Sequence, residues 1–236
     1  MSARATSWLA FTLAALCVLL SLVALALQIA TLPIRPPSGW GTGGLSTPFW
    51  AIVPFLPFPI VGALIASRRP RNPMGWICLA AGITWMLGMV SGSYVLYGLW
   101  MARPGSVPYP AAVGAVSEFL PPTAILLGTL LVILFPDRRL PSHRWRPVAF
   151  FCGAVIVANI VVGIFVPGPL SDVRNVRNPF GLEGQLWLAD ANEAIGLLFP
   201  LCLLASASSL LLRYLRAGDE VREQSSGWPS PPRSWP

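Results

Sequence analysis

Few side chains in this sequence could do chemistry, and three of them lie in or beside apolar segments. Glu118 and Asn159 fall within long apolar stretches, and Glu193 stands at the start of another. A carboxylate or amide surrounded by hydrocarbon is costly, so it normally faces other helices or water. We therefore expect these three side chains to meet in a polar cavity near the outer surface. The alternative for Glu118 is a position at a helix end, where it reaches headgroup water.

Such a cavity has a predictable preference for its ligand. Two carboxylates and one amide would favour a cation or a polar, amine-bearing molecule. The connection Pro167–Glu193 is the longest on this side and is a candidate sensing loop, although an ordinary connecting loop also fits.

Catalytic motifs are missing from the sequence. His143 is the only histidine, and it stands in an arginine-rich loop without H-E-x-x-H, G-x-S-x-G or Walker-type sequences nearby. The four cysteines show no C-x-x-C spacing, and all fall in apolar stretches: Cys17, Cys78, Cys152 and Cys202. We expect no catalytic residues, no cofactor and no metal site, and therefore no enzyme.

The elements that must position these residues are membrane helices. Hydrophobic residues make up 55% of the 236 residues and charged residues only 11%. A stretch of about 20 apolar residues is long enough to cross a bilayer as a helix. We predict an all-α membrane protein, a polytopic bundle of about six transmembrane helices: Trp8–Leu32, Trp50–Ala66, Trp76–Trp100, Val113–Phe135, Val148–Val166 and Ala194–Leu212.

Arginine is distributed unequally between alternate loops, and cytoplasmic loops are the ones enriched in Lys and Arg. One side carries four arginines: Arg35, Arg103, Arg174 and Arg177. The other carries Arg4, Arg68, Arg69, Arg71, Arg138, Arg139, Arg144, Arg146, Arg213, Arg216, Arg222 and Arg233. This pattern predicts a multi-pass protein of the cell membrane with both termini cytoplasmic.

The positive net charge is explained by contact with anionic lipid headgroups. The net charge is +7, and the loop arginines lie beside the predicted spans, where anionic headgroups are close. We therefore expect the lipid bilayer as a partner and no nucleic acid.

The composition changes after residue 216, which predicts a helical bundle over 1–216 and a short cytoplasmic tail over 217–236, disordered from about 225.

One pentapeptide occurs twice, as Arg71–Gly75 (RNPMG) and Arg177–Gly181 (RNPFG). Each copy precedes an apolar segment, but the two lie on opposite predicted sides. Inverted repeats are typical of transporters. Asn-Pro is also a common way to end a turn and begin a helix, so shared turn chemistry is the simpler explanation.

Several loop motifs occur together in a recognisable order. They are SRRPRNPMGW (67–76), LFPDRRLP (134–141), RWRPV (144–148) and RNPFGL (177–182). Together they resemble the membrane-embedded N-terminal region of bacterial two-component sensor histidine kinases, of the type found in actinobacteria. The similarity runs from about Thr31 to Gln224.

The resemblance implies a sensor that couples an external or intramembrane stimulus to a cytoplasmic kinase through helix shifts. No residues match the kinase's phosphoacceptor histidine or its ATP-binding boxes. The change to SSGWPSPPRSWP after Gln224 suggests a frameshift or an early stop, and a stand-alone sensor is the alternative. Two other functions remain open: a small transporter or channel, and a membrane subunit that modulates a separate kinase. A homodimer or a histidine kinase would be the expected protein partner.

Overall fold

Prolines and polar turns divide the chain into successive helices. The computed structural model describes residues 3–31, 52–103, 105–135, 140, 142–170 and 176–226, with the backbone alone for residues 100 and 216–226. Within these ranges the α-helices are α1 Ala3–Thr31, α2 Pro57–Arg68, α3 Pro73–Trp100, α4 Pro110–Leu134, α5 Arg146–Phe165 and α6 Trp187–Ser226. Single 3₁₀ turns, Val53–Phe55 and His143–Trp145, precede α2 and α5. The predicted all-α membrane bundle is confirmed.

Five of these helices, all except α2, are long and apolar enough to cross a membrane. The chain is therefore a multi-pass membrane protein. The second predicted span is shorter in the structure, with its apolar helical stretch limited to Val53–Arg68. Pro54 and Pro57 explain the break, because proline removes a backbone donor and favours the first turn of a helix.

The helices pack as two groups of three. In the first unit α1, α2 and α3 all contact one another, and in the second unit α4, α5 and α6 do the same. The helices α3 and α4 join the two units. Each unit has its own core, with Ala63 and Leu79 in the first and Leu126 and Val155 in the second.

Two ends of the bundle can be distinguished. The arginine face holds the α2–α3 turn and the start of α5, and the arginines of these two segments are exposed: Arg68, Arg69, Arg71, Arg144 and Arg146. The cavity face, at the other end, holds the α3–α4 connection and the described parts of the α5–α6 connection, residues 166–170 and 176–186. Arg138 and Arg139 lie outside the described residues, as does Trp50 at the start of the second predicted span.

Glycines set the distance between the helices. A Cβ built on Gly62 of α2 would lie 2.8 Å from the carbonyl oxygen of Gly75 and from the backbone nitrogen of Leu79 in α3. At the α3–α4 junction, a Cβ on Gly88 would lie 3.0 Å from the ring of Pro121. Nothing lies within 4 Å of the equivalent point on Gly92. Small residues permit this close backbone approach where there is no hydrophobic driving force between helices.

Candidate ligand cavity

A cavity of about 500 Å³ opens among α4, α5 and α6, beneath the connection that leads from α5 to α6. Its polar lining comes from Glu118 in α4, Asn159 in α5, Asn178 in the connection and Asn192 in α6. Apolar side chains complete the wall, among them Phe119, Leu170, Phe199 and Leu203. A mostly apolar pocket with a few polar groups is the usual form of a small-molecule site.

Glu118 reaches the cavity from a helix that contains two consecutive prolines. It is half-buried, and it stands just before Pro121 and Pro122 in α4. Because neither proline has an N–H, the carbonyls of Ser117 and Glu118 lose their usual helical donors. Among the described residues that line the cavity, Glu118 is the only ionisable one.

Asn159 links α5 to α4 directly behind these prolines. Its amide nitrogen donates to the carbonyl oxygen of Phe119 at 3.2 Å and to Oγ1 of Thr123 at 2.9 Å. Thr123 Oγ1 in turn donates to the same Phe119 carbonyl at 2.7 Å. Because these two acceptors are only 2.7 Å apart, a single amide hydrogen of Asn159 is shared between them.

We expect the replacement of Asn159 by Leu to destabilise the second unit. The substitution removes both inter-helix hydrogen bonds, and such bonds contribute about 0.6 kcal/mol on average and at most about 1.7 kcal/mol between membrane helices. Unfolding in mixed detergent micelles, followed by circular dichroism, would measure the loss. A double-mutant cycle with Thr123→Val should show coupling between the two positions. Strictly additive losses would contradict the hydrogen-bond network.

The connection above the cavity is tied down at both of its described parts. Asn178 Nδ2 donates to the carbonyl oxygens of Ile164 and Val166 at 3.0 and 2.8 Å, which caps the end of α5. Leu170 is buried and packs against Val95 and Ala115 of α3 and α4. The roof of the cavity is therefore attached to both α5 and the junction between the units.

The structure brings together two of the three sequence-predicted site residues. Glu118 and Asn159 line one cavity, whereas Glu193 is exposed and its neighbour Asn192 takes the place on the wall. Asn178 was not among the predicted site residues, although the repeated Asn-Pro pentapeptide marks it. Arg177 pairs with Glu183 at 2.9 Å, and both side chains are exposed.

The cavity offers both acceptors and donors, from the carboxylate of Glu118 and the side-chain amide of Asn192. The Asn178 amide donates to two backbone carbonyls at the end of α5, and its Oδ1 accepts from the backbone N–H of Phe180 at 3.0 Å. The Glu118 carboxylate has acceptor sites for several donors at once. No group of three or more His, Cys, Asp or Glu side chains that could hold a metal is present in the described ranges.

No protein family, no curated protein and no solved structure matches this chain.

Proposed function

We propose that this membrane protein is a sensor-like signalling module, in which the cavity binds the stimulus and α6 carries the response toward the cytoplasm. Support comes from the loop motifs, which resemble the membrane region of two-component sensor kinases. The receiver would be a histidine kinase, either continuous with α6 or provided by a separate chain. The protein itself would transmit the signal by a conformational change rather than by catalysis.

The observation that carries this proposal is the length of α6. It runs without a break from Trp187 to Ser226, 40 residues. At about 1.5 Å per residue this is about 60 Å, twice the thickness of a hydrocarbon core of about 30 Å. Asn192, Phe199 and Leu203 of this helix line the cavity. A ligand that moves this part of the cavity wall therefore moves α6, whose C-terminal end lies beyond the arginine face.

A contact at the arginine face ties α6 to the other wall of the cavity. Arg213 Nη2 of α6 donates to the carbonyl oxygen of Ile133, near the end of α4, at 2.9 Å. A cation near a helix C-terminus also interacts favourably with the helix dipole. Because α4 carries Glu118, the same two helices meet both at the cavity and at the opposite end of the bundle.

The proposed stimulus is a small organic cation with an apolar group, in keeping with the carboxylate of Glu118 and the apolar wall of the cavity. Benzylammonium is a suitable probe, because its ammonium group donates hydrogen bonds and its ring matches the apolar wall. Benzyl alcohol is the matched control, with the same ring and no charge. Saturable binding of benzylammonium to the protein in nanodiscs, with much weaker binding of benzyl alcohol, is the expected result.

Movement of α6 is tested by a distance measurement. Spin labels at Phe135 and Leu215, both more than half exposed, report the separation of α4 and α6 at the arginine face. We expect benzylammonium to shift this distance distribution, and benzyl alcohol at the same concentration to leave it unchanged. A control pair at Trp8 and Leu64, exposed residues of the first unit, should not respond. Binding without any change at the α4–α6 pair would refute the sensor proposal.

The orientation in the cell membrane follows from the arginines, and we propose that the arginine face is cytoplasmic. His143 and Gln185 are exposed on opposite faces. In a background without the four buried cysteines, an impermeant maleimide should label a His143→Cys variant only in inverted vesicles. It should label Gln185→Cys only in intact cells. The reverse pattern would overturn the orientation.

A further inference from the structure

The α2–α3 turn carries a concentrated positive charge that the first unit does not balance. Arg68 ends α2, Arg69 and Arg71 follow in the turn, and all three side chains are exposed. Their guanidinium groups form no ion pair or hydrogen bond with another described residue. The first acidic residue of the sequence is Glu118, so the first unit contains no carboxylate side chain. The counter-charge for these arginines therefore comes from outside this unit.

Hydrogen bonds fix the backbone of the turn. The N–H of Arg69 donates to the carbonyl oxygen of Ile65 at 2.8 Å, and the N–H of Asn72 donates to the carbonyl oxygen of Arg69 at 2.8 Å. The buried Asn72 side chain accepts from the N–H of Met74 at 3.1 Å, which caps the start of α3. Because the turn is already ordered, less conformational entropy is lost when its arginines bind a partner.

Two tryptophans beside the turn indicate the level of the lipid headgroups. Trp76 Nε1 donates to the carbonyl oxygen of Pro70 at 2.9 Å, so its indole lies against the turn. Trp8 of α1 is exposed, and it stands two residues before Ala10, which shares a core cluster with Ala66 of α2. Indole rings prefer the headgroup layer of a bilayer. The arginines of the turn therefore lie close to the depth of the lipid phosphates.

The first helix brings a fourth arginine to the same end of the first unit. Arg4 is exposed and stands six residues before Ala10, so α1 begins at the end of the bundle that holds the turn. Each cation near the membrane surface adds to the attraction for anionic lipid. The positive charge at this end is therefore shared by a helix start and a turn.

We infer that the α2–α3 turn binds the phosphate of an anionic phospholipid headgroup, in the leaflet at the arginine face. A guanidinium group presents its donors in a fork that matches two phosphate oxygens, and such charge-assisted pairs are strong. The partner is a lipid rather than a soluble anion, because the turn joins two apolar helices and lies beside indole rings. The net charge predicts contact with anionic lipid in general, and the turn gives that contact one defined site. This site is independent of the cavity and of the proposed sensor function.

Lipid retention, measured by native mass spectrometry, tests the site. The full-length protein is purified in detergent with equal amounts of phosphatidylglycerol and phosphatidylcholine of the same chain lengths. We expect the wild type to retain phosphatidylglycerol several-fold more than phosphatidylcholine. The double variant Arg69→Gln/Arg71→Gln should lose most of this preference, because it removes two of the three guanidinium groups. Equal retention of the two lipids by the wild type would overturn the inference.

The double variant Arg144→Gln/Arg146→Gln is the matched control, since it removes the same number of charges from the same face. These arginines are exposed at the start of α5, where no side-chain hydrogen bond caps the helical segments. We expect this variant to retain phosphatidylglycerol close to the wild-type level. Equal losses in the two double variants would show that the charge of the whole face, rather than the turn, attracts the lipid.

Two further measurements identify the chemistry of the contact. Arg69→Lys/Arg71→Lys keeps the charge but replaces each planar fork by a point charge, so its lipid preference should fall below that of the wild type. A preference as high as in the wild type would overturn the bidentate contact. Excess inorganic phosphate should leave the lipid bound, and displacement of the lipid would make the turn a site for soluble anions instead. If the Gln variant fails to fold, the wild-type preference and the Lys variant decide the matter.

Discussion

A Glu118→Gln variant is expected to bind benzylammonium about 10- to 100-fold more weakly than the wild type, the range given by losing a hydrogen bond to a charged group. Glu118 is the only ionisable side chain in the described lining of the cavity, so no other carboxylate there can replace it. Gln preserves the size of the side chain and one acceptor oxygen, so the change in affinity reports the loss of charge. Calorimetric titration of the protein in nanodiscs would measure it.

Glu193→Gln is the matched control for this measurement. The same atoms change, but Glu193 is exposed and the cavity is lined by its neighbour Asn192. We expect its affinity for benzylammonium to stay within about twofold of the wild type, because charges separated by solvent interact weakly. Equal losses in both variants would show that the bundle's overall charge, rather than the cavity, attracts the cation.

The largest effect on stability is expected for Gly82→Ala. A Cβ at this position in α3 would lie 2.6 Å from Cδ of Pro59 and 3.2 Å from its Cβ. Pro59 is buried, and its rigid ring cannot move without moving α2. Overpacking of this kind typically costs about 1–3 kcal/mol. The variant should unfold at lower denaturant concentration in mixed micelles, with α2 displaced from α3.

Gly92→Ala makes the same chemical change in the same helix, where nothing lies within 4 Å of the new methyl group. Because both variants gain the same helix propensity from alanine, their difference isolates the contact with Pro59. We expect Gly92→Ala to be neutral or slightly stabilising. Similar losses in both variants would mean that the α2–α3 contact accommodates the methyl group and does not control stability.

Much of the fold could be predicted from composition. Apolar runs of sufficient length predict helices in a membrane because only helices and closed barrels satisfy the backbone there. The apolar runs show where the helices lie but not which of them pack together, since lipid-facing and helix-facing residues are both apolar. The grouping into two units was therefore not predictable.

The site was predictable only in part, for a physical reason. The cost of burying polar groups indicated that Glu118 and Asn159 face the interior. It could not distinguish Asn192 from Glu193, because neighbouring residues on a helix point about 100° apart and the register depends on packing. Nor could this cost show that the Asn159 amide donates to Phe119 and Thr123, since those hydrogen bonds form only once α4 and α5 meet.

The proline in α6 divides that helix into arms of unequal length. Pro200 lies on the cavity wall, 14 residues into the 40-residue helix, and 26 residues separate it from Ser226. At about 1.5 Å per residue the longer arm measures about 39 Å. A change of about 5° in the bend at such a proline would move its tip by about 3.4 Å, a displacement comparable to a helix shift at a signalling interface. In the proposed sensor, a bend at Pro200 would therefore act as a lever that turns a small movement of the cavity wall into a larger displacement of the far end of α6.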